Sequence, residues 1–353
     1  MAFFRSGRGF ALLSVALLGV ILARQPAAAD DALTVITGAQ PTAFYQVIDD
    51  VAEQAGFYKA QHLAVTMQYA GNPTIASQLL ASGKGDIGAQ AVEPLISGYE
   101  KGVRLQVFFM RTPKSQYTLG VLDDSPIKTL ADFKGTVIGE YSTGSSAEDY
   151  ANSMLFGAGL TKNDFSYIPI GNGAQAVQAM TSQKVAGAAF PYLELLIYQV
   201  TANQKYRFFF NPALDNVPDT GYTATPETIA AKGDLLKRFS RAVAEASVLI
   251  RVNPQLAARY YVQEAGLKVT DEAVANEAHL LDLAQSLLPG VDPMSKRIGD
   301  VPLAGLATLS KVMLDNGRTT QLVPAAAIGT QQFIGFANDF DHRAFAAQAR
   351  QMR

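Results

Sequence analysis

Residues 65–110 run VTMQYAGNPTIASQLLASGKGDIGAQAVEPLISGYEKGVRLQVFFM, three short apolar stretches separated by two helical periods. Val65–Ala70 alternates in hydropathy as a half-buried strand does. Pro73–Ser82 has helical spacing and meets Gly83 just past its end, where a helix is readily terminated. Asp86–Gln90 reads as a short strand, and Pro94–Lys101 as a helix closed by Gly102. Leu105–Met110 is a nearly unbroken apolar run, as expected of a strand covered on both faces. Upstream, Leu33–Gly38 reads as a strand, and Phe44, Val47, Ile48, Val51 and Ala55 mark one face of a helix that Gly56 can end. The order βαβαβαβ calls for a mostly parallel sheet with helices on both faces.

Downstream the same grammar restarts. Tyr117–Val121 reads as a strand able to cross between domains. Thr136–Gly139, Phe165–Ile170, Ala186–Phe190 and Arg207–Phe210 read as strands, with helices at Ser146–Phe156, Ala174–Ser182 and Tyr192–Ala202 between them. A second crossing is placed near Pro218–Tyr222. Beyond it the pattern is helical: Pro226–Val252, Pro254–Ala265, Asp271–Leu288 and Leu303–Asn316. An internal repeat joins the halves. At an offset of 100 residues, 71–95 and 171–195 share eight identities without a gap, Gly71-Asn72 facing Gly171-Asn172 among them. Two related lobes would each aim a helix N-terminus at a common cleft, since open parallel sheets take ligands at the carboxyl ends of their strands. Two similar αβ units without functional meaning are the plainer reading.

Composition removes several functions. Of 353 residues none is cysteine, so disulfides, thiolate metal sites and cysteine nucleophiles are excluded. The net charge of −2 offers no broad electrostatic footprint for nucleic acid. Residues 1–29 combine Arg5, Arg8 and Arg24, the apolar run Phe10–Ala23 and Ala27-Ala28-Ala29, the layout of a signal peptide cleaved after Ala29. The run is shorter than the roughly 20 apolar residues of a membrane span. The mature chain is therefore expected to be periplasmic. Its three histidines, His62, His279 and His342, form no close ligand pair, so no metal is expected. Neither a phosphate loop nor a dinucleotide fingerprint is present, and no cofactor is expected. Glu140-Tyr141-Ser142-Thr143-Gly144 misses the nucleophile elbow by its first residue, which speaks against an enzyme.

The candidate binding residues lie in loops that follow strands. Gln40 and Phe44 follow the first, and Asn72 the second. Gln90 and Glu93 follow Asp86–Ala89, and Arg111 ends the strand beginning at Leu105. In the second series the positions are Ser142, Ser145, Ser146, Asn172, Phe190, Tyr192 and Glu194, with Tyr222 after the return crossing. Gly144 with the hydroxyls and free N–H groups at the start of a helix suits an anion, and an ordinary serine cap needs only one of those hydroxyls. Capping alone accounts for Asn72 and Asn172. Arg111 offers a positive fork for a carboxylate or sulfonate. The acids suit an amine or ring N–H, or merely complement a helix dipole. The aromatic residues can line a flat slot, two or three of them serving as core instead.

Three segments carry a resemblance: Ala55-Gly56-Phe57-Tyr58, then residues 78–88 (QLLASGKGDIG), then residues 127–139 (IKTLADFKGTVIG) followed by Gly144-Ser145-Ser146. In this order the chain resembles the NMT1/THI5-like group of periplasmic substrate-binding proteins of ABC importers, with their sulfonate-, taurine-, nitrate- and pyrimidine-binding members. The resemblance implies an α/β class and a two-lobed type II periplasmic binding protein fold with the ligand cleft between the lobes. It implies capture of a small molecule by lobe closure and delivery to a membrane permease of an ABC transporter, by a monomer. Gln40, Phe44, Gln90, Glu93, Ser145 and Ser146 occupy the family's pocket positions. The group's enzyme branch carries a cysteine-rich motif that this chain lacks. The expected division is 1–29 as signal peptide, 30–118 plus 221–353 as lobe 1, and 119–220 as lobe 2. The ligand is expected to be anionic or aromatic and heterocyclic. An exported serine hydrolase and a ligand-sensing partner of a membrane receptor are the alternatives.

Overall fold

The structure is a computed structural model and describes residues 1–2, 29–38, 44–71, 73–141, 143, 145–214, 216–286, 295 and 297–353. The apolar run Phe10–Ala23, expected to belong to a signal peptide, lies outside the described residues, as do Gln40, Asn72 and Ser142. Strand β1 (Asp31–Thr37) is followed by the 3-10 turn Phe44–Gln46, α1 (Val47–Gln54) and the short α2 (Phe57–Ala60). Then come β2 (Leu63–Tyr69), α3 (Pro73–Ala81), β3 (Ile87–Ala91), α4 (Glu93–Tyr99) and β4 (Gln106–Thr112). The second series is β5 (Tyr117–Leu122), β6 (Thr136–Glu140), α5 (Ser146–Gly157), β7 (Phe165–Pro169), α6 (Ala174–Thr181), β8 (Gly187–Pro191), α7 (Tyr192–Thr201) and β9 (Tyr206–Phe209). Strand β10 (Thr220–Ala224) ends the α/β part.

The strands form two five-stranded sheets of the same order, β2-β1-β3-β10-β4 and β7-β6-β8-β5-β9. β1 pairs in parallel with β2 and β3, and β6 with β7 and β8. Each sheet holds one reversed strand: β10 runs antiparallel to β3 and β4, and β5 to β8 and β9. These are the strands that arrive from the other series. The Tyr117–Val121 crossing strand is therefore present as β5, whereas β10 was foreseen only as a crossing and not as a strand. The repeat keeps its register, because β3 begins at Ile87 and β8 at Gly187. Gly71 and Gly171 both take positive φ, 68° and 65°, at the turn into the following helix, a conformation that glycine adopts without steric cost.

After β10 the chain is helical: α8 (Pro226–Ala231), α9 (Gly233–Val252), α10 (Pro254–Glu264), α11 (Asp271–Leu283), α12 (Leu303–Asp315), α13 (Ala325–Ile328), α14 (Ile334–Ala337) and α15 (His342–Ala349). The single helix expected over 226–252 is two. Lys232 leaves helical geometry at φ −118° and ψ 24°, and its ammonium pairs with Asp86, just before β3. Helix α9 turns Leu236, Phe239, Val243, Ala246 and Ile250 inward against α1 and α2, with Tyr58 stacked on Phe239 at 5.4 Å. Its spacing of three and four residues yields one continuous apolar stripe.

The later helices also reach the second sheet. Leu193 and Leu196 of α7 share an apolar cluster with Val274, Ala278 and Leu281 of α11. Tyr150 and Met154 of α5 share another with Leu309 and Met313 of α12. Gly305 allows α12 to press on the return crossing, since a Cβ there would lie 1.9 Å from the Asn216 carbonyl oxygen. Among the described residues no helix is long and apolar enough to cross a membrane.

Candidate functional site

Two buried polar clusters stand near the carboxyl ends of the strands. The first lies within the first sheet and its helices. Arg111, at the end of β4, is buried and points inward. Its Nη2 lies 3.0 Å from Asp49 Oδ2 and 3.2 Å from Gln46 Oε1, and its guanidinium sits 5.1 Å over the Tyr222 ring. Asp49 Oδ1 also accepts hydrogen bonds from Tyr58 at 3.0 Å and Tyr222 at 2.7 Å. Burial and the Asp49 charge push the neighbouring Asp50 carboxyl up to about 8, with Glu264 adding to the effect and Arg111 opposing it. Arg111 is thus engaged with an internal carboxylate, and Tyr222 is fully buried against the Phe239 edge at 4.9 Å.

The second cluster forms where the chain passes between sheets. Glu93, first residue of α4, is hydrogen-bonded to Ser146, first residue of α5. Ser146 also bonds the Tyr117 hydroxyl, which donates to Asp219 Oδ1 at 3.0 Å. Gln116 Nε2 donates to Asp219 Oδ2. The Asp219 backbone is fixed as well: its carbonyl accepts from Val92 N at 2.8 Å and its N–H donates to Thr112 O at 3.1 Å. Burial raises Glu93 above the ordinary carboxylate range, and the nearby Asp219 raises it further. Burial raises Asp219 too, while Tyr117 and Gln116 partly offset the effect. Two carboxyls in one water-poor site disfavour double ionisation. Glu93 Oε2 is shielded from solvent and has no hydrogen-bond partner among the described residues.

The remaining candidates divide between structure and surface. Gln90 is buried between Ser77 Oγ, which donates to it at 2.9 Å, and Thr223 Oγ1, which it donates to at 3.0 Å. It ties α3, β3 and β10 together. Phe44 and Phe190 lie in apolar clusters. Ser145 is the N-cap of α5 and accepts from Glu148 N at 3.4 Å. Asn172 is exposed and does not cap α6, where Gly173 holds the cap position and donates its N–H to the Tyr198 hydroxyl at 2.6 Å. Tyr198 donates in turn to Glu194 at 3.0 Å. Tyr192 opens α7 with its ring against Phe208 at 4.9 Å and Phe210 at 5.3 Å.

Of the residues singled out in sequence, Glu93 and Ser146 meet across the two series. Arg111 and Tyr222 also meet, but inside the first sheet's own core. The sequence reading missed Asp49, Gln116, Asp149 and Asp219. Pro218-Asp219, immediately before β10, carried the one available signal, an acid at a crossing point. Among the described residues no group of three or more His, Cys, Asp or Glu side chains is arranged to hold a metal ion.

Residues 45–257, more than half of the chain, match the family model described as NMT1/THI5 like. A Haemophilus influenzae protein named "Putative thiamine biosynthesis protein" is 26% identical over 133 residues, 38% of this chain and 42% of that protein. The chain thus matches about two fifths of the length of that curated relative. The periplasmic aliphatic sulphonate binding protein SsuA of Escherichia coli superimposes with a TM-score of 0.67 at 19% identity, covering 85% of this chain and 92% of SsuA. The alkanesulfonate-binding SsuA of Xanthomonas axonopodis pv. citri, bound to MOPS, superimposes at 0.60 with 18% identity, covering 86% of this chain and 100% of that one. With its paired sheets and reciprocal reversed strands, this chain belongs to the NMT1/THI5-like family and has the periplasmic binding protein fold.

Proposed function

We propose that the chain is an exported solute-binding protein that captures a small molecule between two lobes and hands it to the permease of an ABC importer. The lobes are residues 30–118 with 221–353, and 119–220, and residues 1–29 are the leader removed on export. The observation that carries this reading is the exchange of β5 and β10 between the sheets. Each sheet is internally bonded, the chain passes from one sheet to the other after β4 and after β9, and the starts of α4 and α5 meet at that junction. Such a joint is suited to hinge closure. The likeness to periplasmic sulphonate-binding proteins supports the same role.

The chemistry of the ligand is read from the side chains at the junction. Arg111 is occupied by Asp49 and Ser145 by the α5 cap, while Glu93, Asp149 and Asp219 line or adjoin the gap. This favours an aromatic or heterocyclic compound over a simple anion. Native mass spectrometry of protein purified from the periplasm should show one copy of the chain with a co-purified small molecule. Small-angle scattering should give a smaller radius of gyration when that molecule is restored to stripped protein. An unchanged radius at saturation would count against capture by closure, and steady turnover of the molecule would replace binding with catalysis.

A further inference from the structure

The pocket beside Glu93 is built from the start of α4, β5, α5, the two crossing segments and α12. Glu93, Tyr117, Ser146 and Asp149 supply its polar wall, and Leu214, Val217, Leu309 and Met313 are among its apolar residues. Its free space is about 20 Å³, enough for one group the size of a water molecule. Glu93 Oε2 is enclosed there without a partner among the described residues, although a carboxylate oxygen away from water ordinarily has a donor. Among the described residues no lysine, arginine or histidine lines this pocket. The nearest cation established by contact is Arg318, whose Nε is committed to Asp149 at 2.9 and 3.1 Å.

We propose that this pocket receives a cationic N–H donor, the ammonium or amidinium tip of the captured solute, with Glu93 as its direct acceptor, Ser146 positioning Glu93 and Asp219 adding negative charge beside it. The inference rests on the solute-binding reading above and specifies its ligand. The size agrees, because an –NH3⁺ or =NH2⁺ tip occupies about the volume of one water. The charge agrees as well. The groups facing Glu93 are Asp219 from the return crossing, Tyr117 from β5, and Ser146 and Asp149 from α5, while α12 contributes apolar side chains. Two carboxyls with raised proton affinity hold a proton near neutral pH, and a bound cation displaces it. Binding is then coupled to proton release, and affinity increases as pH rises through the titration of the pair. The N–H···O⁻ bond so formed is charge-assisted and shielded from water, and so among the stronger hydrogen bonds.

The test uses calorimetry on the purified protein with benzylamine and benzamidine as probes, benzyl alcohol as the uncharged isostere and benzenesulfonate as the anion. The two cations should bind saturably at about millimolar or better, at least tenfold more tightly than either control. At pH 7 the heat should vary with the ionisation enthalpy of the buffer, reporting a released proton. Glu93→Gln should weaken benzamidine at least tenfold with its melting curve retained, and Ser146→Ala should weaken it less. Should Glu93→Gln fail to fold, Ser146→Ala and the buffer dependence of the unmodified protein remain as measures. Cations no better than benzyl alcohol, unchanged affinity in a folded Glu93→Gln, or heats independent of buffer would each overturn the proposal. If benzyl alcohol or benzenesulfonate contracts the protein in scattering while the cations do not, capture by closure stands and only this ligand assignment falls.

Discussion

Arg111 stands at the end of a strand whose carboxyl edge faces the junction, yet its charge is spent internally on Asp49. Removing one partner of a buried pair leaves the other uncompensated, at a cost of about 3–5 kcal/mol. Arg111→Met should therefore lower stability in urea by that order, and adding Asp49→Asn should recover part of the loss. Additive losses in the double variant would mean that the two groups are not coupled. Asp50 carries a different signature. Its carboxyl titrates at about 8 in the fold against an ordinary 3.8. Between those values the folded chain keeps a proton that the unfolded chain has lost, so stability falls as pH rises across that window and levels off above 8. Asp50→Asn should flatten the fall in melting temperature between pH 5 and pH 8. A wild-type melting point that rises over the same range would contradict the assignment.

At the scale of elements, α5 separates two roles in adjacent serines. Ser145 Oγ caps the helix, while Ser146 bridges Glu93 and Tyr117. Ser145→Ala should cost about 1 kcal/mol in thermal or urea unfolding, and Ser145→Asp should restore it, because aspartate is an equally good cap. Equal stability of all three forms would show that the cap contributes nothing. Apart from the one-turn α2, the strands and helices of both αβ series were legible to within a residue or two, since their periods differ and glycine or proline marks most ends. Helices α8 and α9 read as one because a single interior glycine, Gly233, only weakens a helical pattern. The interruption at Lys232 follows from its ion pair with Asp86, a contact distant in sequence. Strand β10 escaped notice for a related reason: Thr220–Ala224 is short, and its partners β3 and β4 are over a hundred residues away.

Across the whole molecule, the C-terminal helices grip the second sheet from two sides. Helix α11 packs on α7, and beyond α12 Arg318 binds the Asp149 side chain while Asn316 Nδ2 donates to the Asp149 carbonyl at 3.2 Å. A hinge at the crossings cannot open on the α5 side without breaking these bonds. Arg318→Ala should enlarge the radius of gyration of the ligand-free protein and speed amide exchange over residues 145–150. Unchanged scattering and exchange would show that the grip does not restrain the hinge.

The sequence by itself determined the class of the molecule: two αβ series, a repeat at an offset of 100 residues, a helical C-terminal part and the family resemblance. The first and third rest on local periodicity and turn chemistry, which each segment carries within a dozen residues, and the repeat and the resemblance rest on residue identities in short motifs. Tertiary structure alone decided which polar residues face the junction. Gln90, Arg111 and Tyr222 resembled pocket residues by position in a loop or at a strand end, and each is satisfied by a partner remote in sequence, Thr223 for the first and Asp49 for the other two. Asp219 drew no attention as a single acid after a proline, and it lies buried beside Tyr117 and Gln116 because two strands exchange between sheets. The direction of a polar side chain is set by whichever donor or acceptor the fold brings to it, and a linear pattern contains no record of that encounter.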